Sequence, residues 1–138
     1  MIKNLRFLSG LLLVAGLSVS SVFAQTAATT GLDLGPTLNK VNATGNFYIA
    51  LQTSSVPFSY VLSGGRETPA GYSWEICEHI AKAVEAKVGK SITIVPVPVS
   101  SSGRIMMIKT GMADIECGST TNTLGRQRQV AFSNTIFV

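Results

Sequence analysis

Charged residues are scarce in this 138-residue chain, at 13%, and histidine is scarcer still, with His79 alone. A single histidine on the flank of a helical pattern reads as partly solvated, not as a catalytic base or a metal ligand. Only two cysteines occur, Cys77 and Cys117, and their spacing fits neither a zinc site nor a redox pair. No Lys/Arg run is interleaved with aromatic residues, so nothing points to nucleic acid. Beyond the N-terminal leader no hydrophobic stretch is long enough to cross a membrane, and no internal repeat or low-complexity segment follows. What remains is ordinary globular composition, 46% hydrophobic, enough for a core and for one domain or part of one. Neither a metal nor a cofactor is implied.

The leader reads MIKNLRFLSGLLLVAGLSVSSVFAQ. Lys3 and Arg6 give a positive start, Phe7 to Val19 is apolar, and Val22-Phe23-Ala24 ends in the small-residue pattern of a signal-peptidase site. The expectation is a signal peptide over residues 1–24, cleaved after Ala24. Losing Lys3 and Arg6 takes the formal charge from +4 to +2. No cysteine lies near the cleavage point to carry a lipid. A soluble exported protein without an anchor fits a Gram-negative periplasm. An oxidising compartment permits a Cys77–Cys117 disulfide; two separate buried thiols are the alternative.

Residues 25–45 form an N-terminal lead, polar and small as far as Gly35, in which Thr37 to Val41 suits a short helical turn. Asn46 to Leu51 (NFYIAL) is nearly continuous apolar, as a strand covered on both faces would be. A loop around Pro57 follows, then Phe58 to Leu62 as the first arm of a small hairpin turning at Ser63-Gly64-Gly65. Ser73 to Val88 is the clearest helix, with Ile76, Ile80, Ala83 and Val84 at helical spacing. Ser73 is the expected N-cap, Glu75 suits the first turn, and Lys87, Gly89 and Lys90 suit the end. Ile92 to Val99 is β-rich. Pro96 and Pro98 lack N–H groups on the same side, which leaves that side unpaired. Ser101 to Thr110 is a second helix closed by Gly111. Ala113 to Cys117 is a third strand, Asn122 to Gln129 a short helix, and Val130 to Val138 extended.

This order gives an α/β fold with an open, largely parallel sheet flanked by helices. Ligands of such sheets bind beyond the carboxyl ends of the strands. Three segments then share one rim: Gln52–Phe58, Ser100–Arg104 and Gly118–Thr121. Arg104, about one turn into the second helix behind Ser100, Ser101 and Ser102, is the leading candidate. A guanidinium fork beside free helix N–H groups suits a carboxylate; a surface arginine paired with a glutamate is the bland alternative. Asp114 and Glu116 read as structural, and Met106 or Met107 as core filling. Trp74 has no assigned role. Arg126 suits a tie from the short helix to the sheet edge, and Arg128 a solvated surface position.

The segments SSVPFSY (54–60), GYSWEIC (71–77), GRIMMIKTGMADIECGSTTN (103–122) and RQRQVAFSNTIFV (126–138) together resemble the periplasmic solute-binding proteins of polar amino-acid ABC transporters. The glutamate/aspartate-binding subgroup is nearest in appearance. The resemblance implies a type II periplasmic-binding-protein-like fold with two lobes that close on a free amino acid and hand it to an inner-membrane permease, a monomer without catalysis. It implies that Arg104 holds the ligand α-carboxylate with support from Thr121. Ser119 accepts from the ammonium, Ser101 lies near the ligand, and Phe58 supplies apolar contact.

Two departures stand out. Where the subgroup carries an arginine for the ligand's side-chain carboxylate, this chain has Gln52, which donates without charge. Loss of a charge-assisted bond there costs about 1.5–3 kcal/mol and opens the site to glutamine or another neutral polar amino acid. The chain also stops at Val138, so residues 46–138 correspond to most of lobe one. The resemblance therefore implies a truncated protein that binds weakly or not at all by itself. Two rival functions share the fold: a periplasmic dehydratase of cyclic carboxylic acids, which needs a general acid in the cleft, and the ligand-sensing module of a membrane receptor or cell-wall enzyme.

Overall fold

Asn46–Leu51 (β1) is the central strand of the computed structural model, which describes residues 33–64 and 67–138. The leader, the cleavage point after Ala24, residues 25–32 and Gly65 lie outside the described residues. β1 pairs in parallel with Thr93–Pro98 (β5) on one side and Ile115–Cys117 (β6) on the other. Its apolar run follows from that position, since Phe47, Ile49, Ala50 and Leu51 are all buried. Burying a side chain such as Leu51 contributes about 1.5–3 kcal/mol. β5 is an edge strand, which is why Pro96 and Pro98 are tolerated there.

Tyr72–Val88 (α2) covers this sheet and buries Trp74, Cys77, Ala81 and Val84. The buried stripe is rotated from the expected one: Ile76 and Ile80 are only half-buried and Ala83 is exposed. Bulky Trp74 and the bonded Cys77 claim the inward face. Ser73 is not the N-cap. Gly71 takes that place at φ 115°, and Ser73 Oγ instead donates to the Gly118 carbonyl at 2.9 Å. Gly71 is fixed by crowding, because a Cβ there would lie 2.5 Å from the Phe58 carbonyl oxygen. The helix ends as expected at Gly89 in the left-handed region.

The lead holds more structure than expected. Gly35–Thr44 (α1) is a ten-residue helix with Pro36 in its first turn and Gly45 as its left-handed C-cap. Val41 is fully buried and Leu38 packs beside it. Ser54–Ser55 (β2), Ser59–Leu62 (β3) and Thr68–Ala70 (β4) form a separate antiparallel sheet. The hairpin arm is thus β3, and it pairs on both sides.

Arg104–Lys109 (α3) is shorter than the expected Ser101–Thr110 helix. Residues 100–103 form a turn in which Gly103 N–H donates to the Ser100 carbonyl and hydroxyl. Arg104 is therefore the first helical residue, not one turn inside. Neither Met106, 54% exposed, nor half-buried Met107 belongs to the buried core cluster. Leu124–Gln127 (α4) is one turn capped by Thr123. Residues 130–138 form no strand; instead Tyr72 donates its hydroxyl to the Ile136 carbonyl at 2.8 Å. Cys77 and Cys117 are joined in a disulfide that ties α2 to the end of β6.

Candidate functional site

Parallel pairing brings three strand ends to one edge. Leu51 stands opposite Pro98 on one side and Cys117 on the other, and Val99 N–H still donates to the Leu51 carbonyl. The residues that follow each strand therefore emerge side by side, which creates the rim expected from the element order.

Gln52 is the first residue past β1 and is 8% exposed. Its backbone is pinned by Ser59, whose hydroxyl accepts from Gln52 N–H and donates to the Gln52 carbonyl, both at 3.0 Å. Its side-chain amide spans the rim. Nε2 donates to Ser101 Oγ at 2.9 Å, and Oε1 accepts from Ser119 Oγ at 3.0 Å and from Ser119 N–H at 3.4 Å. Ser55 Oγ lies 2.9 Å from Ser119 Oγ. All three rim segments are thus connected through one amide.

Arg104 sits beside this bridge, 6% exposed. Its Nε donates to the Ser101 carbonyl at 3.1 Å, and Nη1 donates to Thr120 Oγ1. Nη1 also stands 3.8 Å from Glu116 Oε1. Glu116 lies on β6 opposite Ala50, and its Oε1 is buried without a hydrogen-bond partner among the described residues. Burial pushes the Glu116 carboxyl above its ordinary value, against the opposing pull of Thr120, Arg104 and Arg126.

Gln52, Ser101, Arg104 and Ser119, all singled out from the sequence, are brought together. Thr121 and Phe58 are placed differently. Thr121 is exposed, and its carbonyl accepts from Arg126 Nη1 at 2.7 Å; the threonine that touches Arg104 is Thr120. Arg126 thus ties α4 to the loop that leaves β6, and its charge also acts on Glu116 of that edge strand. Phe58 is half-buried and packs edge-to-face on Phe137 with centroids 4.9 Å apart. Sequence reasoning gave Thr120 and Ser55 no role of their own within the rim segments and read Glu116 as structural. The only available signal for Thr120 was adjacency in the hydroxyl run, because the path of that loop decides which hydroxyl meets the guanidinium. Asp114, read as structural, accepts from Tyr48 N–H at 2.9 Å and pairs with Lys40 at 2.6 Å.

At the rim Ser101 and Ser119 are exposed, while Gln52 and Arg104 are buried beneath them. Two cavities, of about 330 and 230 Å³, lie under α2 and between α1 and α3, and no rim residue lines either. Chemically the rim offers a fixed guanidinium with hydroxyls at one end and the Ser119 hydroxyl across the Gln52 amide. Such a surface suits a small group carrying both a carboxylate and a donor cation.

Over 136 residues, 98% of the chain, it is 40% identical to the glutamate/aspartate import solute-binding protein of Salmonella typhimurium, and it spans 43% of that relative's length. Among solved structures, an ancestral cationic amino acid solute binding protein matches 71% of this chain and 39% of its own, at 26% identity and a TM-score of 0.58. A variant of domain 1 of the T. maritima arginine-binding protein, in its arginine-bound form, matches 72% of this chain and 71% of its own, at 23% identity and a TM-score of 0.59. The fold is that of a single lobe of a type II periplasmic binding protein. Residues 47–138 match one family throughout. The chain belongs to the bacterial extracellular solute-binding proteins, family 3.

Proposed function

We propose that this chain carries the amino-acid-binding surface of the solute-binding component of an ABC importer, exported to the periplasm. Residues 46–138 are most of its first lobe, and it takes a free polar amino acid to an inner-membrane permease without catalysing a reaction. The observation that carries the reading is Arg104, held nearly buried at the strand ends by Ser101 and Thr120, with the Gln52 amide linking Ser101 to Ser119. Arg104 and the Ser101 hydroxyl receive the α-carboxylate, and Ser119 accepts from the ammonium. The name of the Salmonella relative supports a dicarboxylic amino acid, while neutral Gln52 at the rim supports extending the range to glutamine. The arginine-bound domain 1 supports binding by one domain of this fold. A dehydratase needs a general acid facing substrate. Glu116 is the only carboxyl in contact with Arg104 among the described residues, and it lies beneath the rim, largely buried.

The test is an amide-resolved NMR titration of the chain with L-glutamate, L-aspartate, L-glutamine and glutarate, the last lacking an ammonium group. Shifts centred on residues 52, 101, 104 and 119–120, saturating in the millimolar range with amino acids and absent with glutarate, are expected. Of the weak or absent affinity that the resemblance implies, weak binding is the outcome proposed, so equal response to glutarate, or none to any amino acid, contradicts the reading.

A further inference from the structure

The orientation of the Gln52 amide is set by a backbone group. Ser119 N–H can only donate, so the Gln52 atom that faces it at 3.4 Å must be the carbonyl oxygen. The amide nitrogen then faces Ser101 Oγ at 2.9 Å and donates to it. Two hydroxyl protons follow. Ser119 Oγ gives its single proton to Gln52 Oε1, so it is left as an acceptor, and in the 2.9 Å contact with Ser55 it must be Ser55 that donates. Ser101 Oγ accepts from Gln52, so its own proton is free to be donated, and the backbone carbonyl of the same residue accepts from Arg104 Nε.

We propose that Gln52 is a positioning residue that sets the hydrogen-bond polarity of the rim. It makes Ser101 a donor on the Arg104 side and Ser119 an acceptor on the opposite side, so a zwitterion is oriented by a neutral amide acting through two hydroxyls. This rests on the amino-acid reading above. It also assigns Gln52 a different part from direct contact with the ligand, since its oxygen is saturated and its residue is 8% exposed.

Gln52→Glu separates polarity from shape. An ionised carboxylate only accepts, so Ser101 must turn its proton inward and the donor beside Arg104 is lost. A protonated carboxyl offers one donor and one acceptor oxygen, enough for the two side-chain contacts the amide makes to Ser101 and Ser119, and restores the arrangement. The charged groups nearest position 52 are Glu116 on β6, which meets it at Gly118, and Arg104 on α3, which shares Ser101 with it, while Ser59, Ser101 and Ser119 are the uncharged contacts. An introduced carboxyl couples to Glu116, so Gln52→Glu is compared with Gln52 in a shared Glu116→Gln background, which removes the titration of Glu116. L-Glutamine and L-homocysteate are the probes, because their side chains do not titrate between pH 4 and 8.

The expected result is a loss of about tenfold or more at pH 7–8 that recovers as pH falls through the range of the introduced carboxyl. Gln52→Met should show a loss independent of pH. Ser101→Ala, at an exposed position where folding is not at stake, should lose about fivefold at every pH. Wild-type binding with a flat Gln52→Glu ratio, or with full affinity in Ser101→Ala, overturns the polarity proposal alone. Failure of wild type to bind either probe overturns it together with the amino-acid reading.

Discussion

Breaking the Cys77–Cys117 bond should remove a large part of the stability of this domain. The two residues are 40 apart in sequence, and the loop they close contains the end of α2, all of β5 and α3, and β6. Closing a loop of that size removes about 13 cal/mol/K of unfolded-chain entropy, or about 4 kcal/mol at 25 °C. Both cysteines are buried, Cys117 at 1% exposure, so neither sulfur is replaced by solvent contacts when the bond is cut. The measurement is urea unfolding followed by circular dichroism, comparing oxidised chain, chain reduced with dithiothreitol, and Cys77→Ala/Cys117→Ala. With a slope of about 1.5 kcal/mol/M the midpoint should fall by about 2.5 M. The rim should loosen first, since Cys117 immediately precedes the Gly118–Thr120 turn that Ser73 holds. A midpoint change below about 0.5 M would refute the reasoning, because the denatured chain would then gain little freedom from the cut.

Glu116→Gln should stabilise the domain at pH 7. Burial raises the folded-state value of Glu116, so the folded form holds its proton more tightly than the unfolded form, and wild-type stability falls as pH rises from the unfolded value of about 4.3 through the folded one. The advantage of glutamine should accordingly shrink as pH drops toward 4, and a gap that widens instead would contradict the burial argument. Gly71→Ala should cost about 2–3 kcal/mol, because φ is 115° and a Cβ would meet the Phe58 carbonyl oxygen at 2.5 Å. Thermal unfolding checks this, and a loss under about 0.5 kcal/mol would mean that the Phe58 loop yields. The rim amide makes a further prediction, the pH-dependent rescue of Gln52→Glu described above.

Elements with strong local signals were legible in the sequence. β1 has the expected bounds because six nearly apolar residues between Gly45 and Gln52 leave little choice. The Gly89 stop of α2 and the prolines of the edge strand β5 were legible for equally local reasons. Ser73 was misread as a cap because its better partner, the Gly118 carbonyl, is 45 residues away. The same limit explains the buried face of α2, which is set by a disulfide partner on β6. At the site, Arg104 and the hydroxyl run were visible as residue types, and strand order placed them on one edge. That Thr120 takes the guanidinium instead of Thr121, and that Gln52 bridges both neighbouring loops, depends on loop paths that no spacing encodes.

The central claim is that Arg104 makes this rim an amino-acid site. Its most direct test is the affinity of L-glutamate and L-glutamine for wild type, Arg104→Lys and Arg104→Met, each shown to be folded by amide dispersion. Loss of a charge-assisted pair to the carboxylate corresponds to about 1.5–3 kcal/mol. The account predicts a loss of about tenfold or more in Arg104→Met, and a smaller loss in Arg104→Lys, which keeps the charge but not the fork. Wild-type affinity in Arg104→Met would contradict it.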